Sequence, residues 1–108
     1  MAEFQSLRDL LDIPDDDLGR LLAISPATLA RRKKAGHLEM IESERVVRLA
    51  RLFGLAMEFF EDEEAAREWL KAPNRGTAGE APLAYADTEV GARRVENLLG
   101  QLCYGGGF

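Results

Sequence analysis

Leucines recur at helical spacing from the first residues onward. Leu7, Leu10 and Leu11 fall on one side of a helix over about 4–11. Ile13-Pro14 breaks it, because the residue before a proline is pushed away from helical geometry. A second helix is predicted from Asp15. Three successive aspartates stand there, where the positive end of a helix dipole favours them, and Leu18, Leu21 and Leu22 follow as one apolar stripe. Ala23-Ile24 reads as a tight turn. Ser25-Pro26 then opens a third helix, Pro26–Ala35: the serine hydroxyl can accept from an orphan backbone N–H, and proline at the first helical position sacrifices no useful donor. Gly36 stops this helix, and Leu29 is its most obvious inward residue.

A longer helix is predicted over about 41–60, with Val46, Leu49, Ala50, Phe53, Met57 and Phe60 on one face and Glu44, Arg48 and Arg51 off it. A fifth helix covers about 62–70 and ends before Pro73; the acidic run at 61–64 marks its start. Residues 72–81 are rich in Gly, Pro and Asn and read as a loop, and Pro82 opens a short turn to Ala86. The last helix begins near Asp87 or Thr88, each a suitable N-cap. Gly91, Val95, Leu98 and Leu102 form its apolar stripe, which Leu99 widens. Gly105-Gly106-Gly107 ends regular structure. No segment alternates with a period of two, so the expected class is all-α, without a sheet. The expected organisation is a helix-turn-helix region at 1–60 and a second helical region with a tail at 61–108.

Composition agrees with a folded globular chain: 46% of the 108 residues are hydrophobic and 31% charged. The formal net charge of −5 argues against a nucleic-acid partner until its distribution is examined. Residues 1–30 hold two basic and six acidic side chains, and 52–108 hold five and ten, whereas 31–51 hold seven basic and only three acidic. One basic stripe in an acidic chain can dock on phosphate, weakly as a monomer, so dimerisation or a partner is implied. Cys103, the single cysteine, excludes an intrachain disulfide and fits a reducing, cytoplasmic compartment. The N-terminus has no basic secretory pattern, and no apolar run is long enough to span a bilayer.

Helix, tight turn and helix over residues 17–36 would present Ala27, Thr28, Arg31 and Lys34 outward, the arrangement that a helix-turn-helix uses in a major groove. Arginine reads guanine bidentately and lysine neutralises phosphate. Thr28, Arg31, Arg32, Lys33 and Lys34 are therefore the expected DNA-binding residues; a solvated basic face without a ligand is the plain alternative. Arg32 occupies a position where an inward apolar residue is common, so it must snorkel or sit on an altered surface. The tail Tyr104-Gly105-Gly106-Gly107-Phe108 is either a frayed end or a flexible thread with aromatic anchors.

Catalytic signals are weak. His37 and Cys103 are single and far apart, so no metal-ligand spacing is met, and no cofactor motif is present. Carboxylates gather at helix starts, where the dipole explains them. Trp69 reads as a packing residue.

The run Leu22-Ala23-Ile24-Ser25-Pro26-Ala27-Thr28-Leu29-Ala30-Arg31-Arg32-Lys33-Lys34, with Glu42-Ser43-Glu44-Arg45 and Arg48-Leu49-Ala50-Arg51, resembles the MbcA/ParS/Xre antitoxins. The second half resembles them more specifically, through Trp69-Leu70, Pro73-Asn74, Gly79-Glu80-Ala81-Pro82 and Thr88-Glu89-Val90-Gly91. The resemblance implies an all-helical, non-enzymatic, dimeric antitoxin that needs no cofactor. Its partner would be a RES-domain toxin that consumes or transfers parts of NAD, blocked by the antitoxin's C-terminal end. Trp69, Asn74, Arg75, Leu102, Tyr104, Gly105, Gly106, Gly107 and Phe108 are then the expected toxin-binding residues. Repression of its own operon, through operator DNA, is the implied second activity. The competing expectation is a stand-alone helix-turn-helix transcription regulator whose second half serves dimerisation.

Overall fold

A computed structural model describes the backbone of residues 1–104 and the side chains of residues 1–101. These residues form helices α1 (Ala2–Leu11), α2 (Asp15–Leu21), α3 (Pro26–Ala35), α4 (Met40–Phe60), α5 (Glu63–Lys71), α6 (Pro82–Tyr85) and α7 (Glu89–Tyr104), with a 3₁₀ turn at Arg75–Thr77. No strand occurs among the described residues, as the all-α expectation required. The chain folds as two compact units, Met1–Val47 and Arg48–Phe108. The expected halves, 1–60 and 61–108, follow motif content. The compact units meet at 47/48 instead, inside α4, which gives its first two turns to one and the rest to the other.

In the first unit, α1 buries Phe4, Leu7 and Leu11, at i, i+3 and i+7. Leu10, expected in this stripe, is 37% exposed, because Phe4 shifts the buried face by one position. Asp12 ends α1 in the left-handed conformation (φ 53°), and its N–H bonds back to the Arg8 carbonyl. In α2, Leu18 is buried and Leu22 closes its end. Gly19 is buried as well: a Cβ there would stand 3.3 Å from the Ile24 carbonyl oxygen and 3.4 Å from Leu29. That close approach lets the Leu22–Ser25 turn fold back so that α2 packs on α3. Ala23 takes the left-handed conformation at the bend (φ 58°), and the Ile24 N–H donates to the Gly19 carbonyl at 2.8 Å.

The start of α4 is capped from within. The Glu39 backbone N–H donates to Glu42 Oε1 at 2.9 Å, which is the reciprocal arm of a capping box. Beyond the division, α4 buries Leu49, Leu52, Phe53 and Ala56. The expected stripe included Ala50, Met57 and Phe60, which are only half-buried. The helical period was right, but the buried face is centred a residue away, on Leu52 and Ala56.

In the second unit α5 packs on α6, and α7 packs on both α6 and the 3₁₀ turn. Asp62 caps α5 by accepting from the Glu64 N–H at 3.2 Å. Of the two N-caps expected for α7, Thr88 serves: its Oγ1 accepts from the Gly91 N–H at 3.1 Å. Ala92, Val95, Leu98 and Leu99 form the buried face of α7. No helix of the described residues is long and apolar enough to cross a membrane.

Candidate functional site

The surface of α3 is organised by its own first turn. Ser25 Oγ accepts from the Thr28 N–H at 3.2 Å and donates to Thr28 Oγ1 at 2.9 Å. Thr28 Oγ1 also accepts from the Arg31 guanidinium at 3.1 Å. This relay holds Arg31 over the start of the helix on an exposed face. Lys34 is exposed too, and makes no ion pair among the described residues.

The other two basic residues of the cluster are engaged elsewhere. Arg32 snorkels toward the start of α4. Its Nε donates to Glu42 Oε1 at 2.8 Å, and a second nitrogen lies 3.3 Å from Glu39 Oε1. Glu42 is only 7% exposed. The Arg32 hydrogen bond holds its carboxyl below the ordinary glutamate value, and Glu42 in turn raises the Arg32 guanidinium. Lys33 reaches back to Asp15 at the first residue of α2, and Asp15 also accepts from Arg8 at 2.9 Å. Lys33 first and Arg8 second hold the Asp15 carboxyl below its ordinary range. Arg45 donates to the Leu22 carbonyl at 2.9 Å, which ties α4 to the turn between α2 and α3. The sequence marks Asp15 as a helix start and Glu42 and Arg45 as motif residues but shows none of these pairings, and it does not single out Arg8. Glu42, three residues after the α4 N-cap, had a signal in capping-box spacing; the others depend on tertiary position.

These depressed carboxylates fix the sign of an acid response. Their folded-state pKa values lie below the unfolded ones, so their stabilisation is complete above the ordinary carboxylate range, about pH 5. It is lost as pH falls through the folded values. Thermal melting from pH 7 to pH 3 is expected to show falling stability below about pH 5, with the fall reduced in Glu42→Gln. An acid response identical in Glu42→Gln and the unaltered chain would contradict this assignment.

In the second unit, Trp69 is half-buried, its ring 6.1 Å from that of Phe60, which meets Phe59 edge-on at 4.7 Å. Asn74 organises the following loop. Its Oδ1 accepts from the Gly76 N–H at 2.8 Å, and its carbonyl accepts from the Thr77 and Gly79 N–H groups. Its own N–H donates to the Glu80 carbonyl at 3.1 Å. Thr77, fully buried, directs its hydroxyl at the Glu80 and Asn74 carbonyls, at 2.6 and 3.1 Å. The loop lies against α7: Arg94 Nε donates to the Gly76 carbonyl at 3.1 Å, and a Cβ at Gly76 would stand 2.7 Å from the Leu98 side chain. Arg75 is exposed at the tip. The motif residues Trp69 and Asn74 thus have structural roles while staying partly exposed, and Arg75 is presented to solvent.

Gly91 explains the spacing of the Thr88–Gly91 motif. Thr88 caps its N–H, and a Cβ on Gly91 would lie 1.9 Å from the Tyr85 carbonyl oxygen. Arg48 and Arg51 of α4 hold α7 through Glu89 and Glu96, at 3.2, 3.1 and 2.7 Å. An open cleft lined by Arg51, Leu55, Glu89, Arg93, Glu96 and Asn97 borders this pairing. Leu102 and Tyr104 lie on α7 with side chains outside the described set, and Gly105, Gly106, Gly107 and Phe108 lie outside the described residues. The described residues contain no cluster of His, Cys, Asp and Glu suited to a metal ion.

Comparison with known proteins follows the same division of labour. Residues 2–51 match the antitoxin Xre-like helix-turn-helix domain, and residues 55–105 match the antitoxin Xre/MbcA/ParS C-terminal toxin-binding domain. Antitoxin Xre of Photorhabdus laumondii is 34% identical over 91 residues, covering 82% of this chain and 62% of that protein. Antitoxin Xre of Yersinia enterocolitica is 33% identical over 95 residues, covering 86% and 64%. Antitoxin Xre of Pseudomonas putida is 31% identical over 71 residues, covering 66% and 45%. The chain therefore spans less than two thirds of the length of these relatives. With a matching helix-turn-helix and a matching toxin-binding half in one polypeptide, the chain belongs to the Xre/MbcA/ParS antitoxin family.

Proposed function

We propose that this chain is the antitoxin of a type II toxin–antitoxin pair, acting in the cytoplasm as a homodimer that binds and silences a RES-domain, NAD-consuming toxin. The observation that carries the reading is the match of residues 55–105 to a toxin-binding domain, which runs into the start of the Gly-rich tail. Inhibition is steric and needs no catalysis or cofactor by the antitoxin itself. The 61–108 region docks on the toxin through Trp69, Asn74, Arg75 and Leu102. Tyr104, Gly105, Gly106, Gly107 and Phe108 occupy the cavity that NAD needs. Glycines give the tail a narrow cross-section and the aromatics give it anchoring area.

The 1–60 region represses the operon by placing α3 on operator DNA. Arg31, held by Thr28, faces the bases, and Lys34 neutralises phosphate. Lys34→Ala is expected to reduce the slope of log affinity against log salt by about 0.9, whereas Arg31→Ala should weaken binding to operator more than to mixed-sequence duplex. Fluorescence-anisotropy titrations of both duplexes across a salt series measure this; an unchanged slope in Lys34→Ala and an unchanged preference for operator in Arg31→Ala would remove these residues from the contact. The toxin reading is tested by co-expression with the product of a neighbouring RES-type gene. A co-purifying complex with suppressed NAD turnover is expected. Failure to co-purify, or full turnover within the complex, would favour the stand-alone regulator.

A further inference from the structure

Four consecutive basic residues on α3 suggest four cations available to a polyanion, but the ion pairs divide them unequally. Arg32 is committed to Glu42 and Glu39 at the start of α4. Lys33 is committed to Asp15, a carboxylate at the N-terminus of α2 that also pairs with Arg8 from the last turn of α1. Asp15 is stabilised there three times over: by the two cations and by the positive end of the α2 dipole. Its side chain is 26% exposed, whereas that of Lys33 is 45% exposed. A phosphate can therefore approach Lys33, but the Lys33–Asp15 pair offers it no net charge. Such a pair adds nothing to the number of phosphates neutralised.

We infer that Asp15 is a positioning residue of the DNA-facing surface, which withdraws Lys33 from phosphate and ties the ends of α1, α2 and α3 together, leaving Arg31 and Lys34 as the cations that α3 offers. The inference rests on the DNA-binding role given above. Asp15 acts through Lys33 and touches no nucleic acid. It limits the electrostatic affinity of the first unit for arbitrary duplex, so that a larger share of binding energy depends on base contacts.

The test uses the full chain and a 20-base-pair duplex of mixed sequence, with affinity measured between 50 and 200 mM salt. Lys33→Gln is expected to leave the salt slope unchanged. Asp15→Asn is expected to steepen it by about 0.9, which makes the loss of affinity across that salt range about threefold larger than in the unaltered chain. Adding Lys33→Gln to Asp15→Asn should cancel the increase, which a purely structural role for Asp15 would not produce. A slope reduced by Lys33→Gln alone, or unaltered by Asp15→Asn, overturns the inference. Should Asp15→Asn fail to fold, Lys33→Gln, at a half-exposed surface position, decides alone. Should the unaltered chain bind no duplex, the DNA reading falls, and the clamp is decided by carbon-13 titration of the Asp15 carboxyl. Release toward the ordinary aspartate range in Lys33→Gln supports the clamp, and an unmoved titration refutes it.

Discussion

Gly91→Ala is expected to destabilise the protein by about 3 kcal/mol, since its added Cβ makes the closest contact of any described glycine. In a free helix the change would help, since alanine is favoured over glycine by about 1 kcal/mol. At position 91 the added Cβ meets backbone: it would lie 1.9 Å from the Tyr85 carbonyl oxygen and 3.0 Å from its carbonyl carbon. A flexible side chain could rotate away, but the backbone carbonyl at the end of α6 cannot move without moving the α6–α7 junction. The same residue donates its N–H to the Thr88 cap, so displacing α7 also loosens the first turn of the helix. Gly100 supplies the control. It lies in the same helix, with nothing within 4 Å of its would-be Cβ. Gly100→Ala should be neutral or stabilising, by up to about 1 kcal/mol. Urea unfolding at constant m-value separates the two. Equal midpoints for both variants would contradict the account of the α6–α7 junction.

This contrast shows what could be seen in the sequence and what could not. Helix identity was legible wherever periodicity and punctuation agreed. Ser25-Pro26 and Gly36 bracket α3 where expected, because capping chemistry is local. Rotation of a buried face was less legible. On α1 and α4, several apolar residues lie beside the true stripe, and only packing decides between Leu10 and Phe4, or between Met57 and Ala56. The short 3₁₀ turn at Arg75–Thr77 lies in a segment whose Gly, Pro and Asn read only as loop; Asn74 accepting from the Gly76 N–H two residues on is a local signal that could have marked it, whereas the burial of Thr77 depends on packing.

Among the candidate site residues, charge composition exposed the basic cluster but not how its charges are spent. Arg32 and Lys33 look like Arg31 and Lys34 in sequence. Their partners Glu42 and Asp15 are 10 and 18 residues away, so only the fold distinguishes the two pairs. Asp15 and Asp17, at the acidic start of α2, each face a cation within the first unit, which offsets their repulsion of phosphate. In the second unit, Asn74 and Gly91 are identifiable as motif residues from sequence. Their hydrogen bonds and close approach supply the physical reason for the motif: they build the loop and junction that support α7.

That support matters to the central claim, which concerns the residues following α7. If the tail is the inhibitor, the helix before it acts as a rigid mount, and binding and inhibition become separable. A chain lacking residues 105–108 keeps Trp69, Asn74, Arg75 and the folded second unit, so it should still form the complex. The lost glycines and Phe108 leave the NAD cavity open. The measurement is NAD consumption by the purified complex of a RES-domain toxin with either the full chain or the 1–104 truncation, at matched complex concentration. The account predicts a stable complex in both cases. Turnover should be suppressed by the full chain and restored by at least about tenfold in the truncated complex, the equivalent of about 1.4 kcal/mol of lost occlusion. Full suppression of NAD consumption by the 1–104 chain would contradict it.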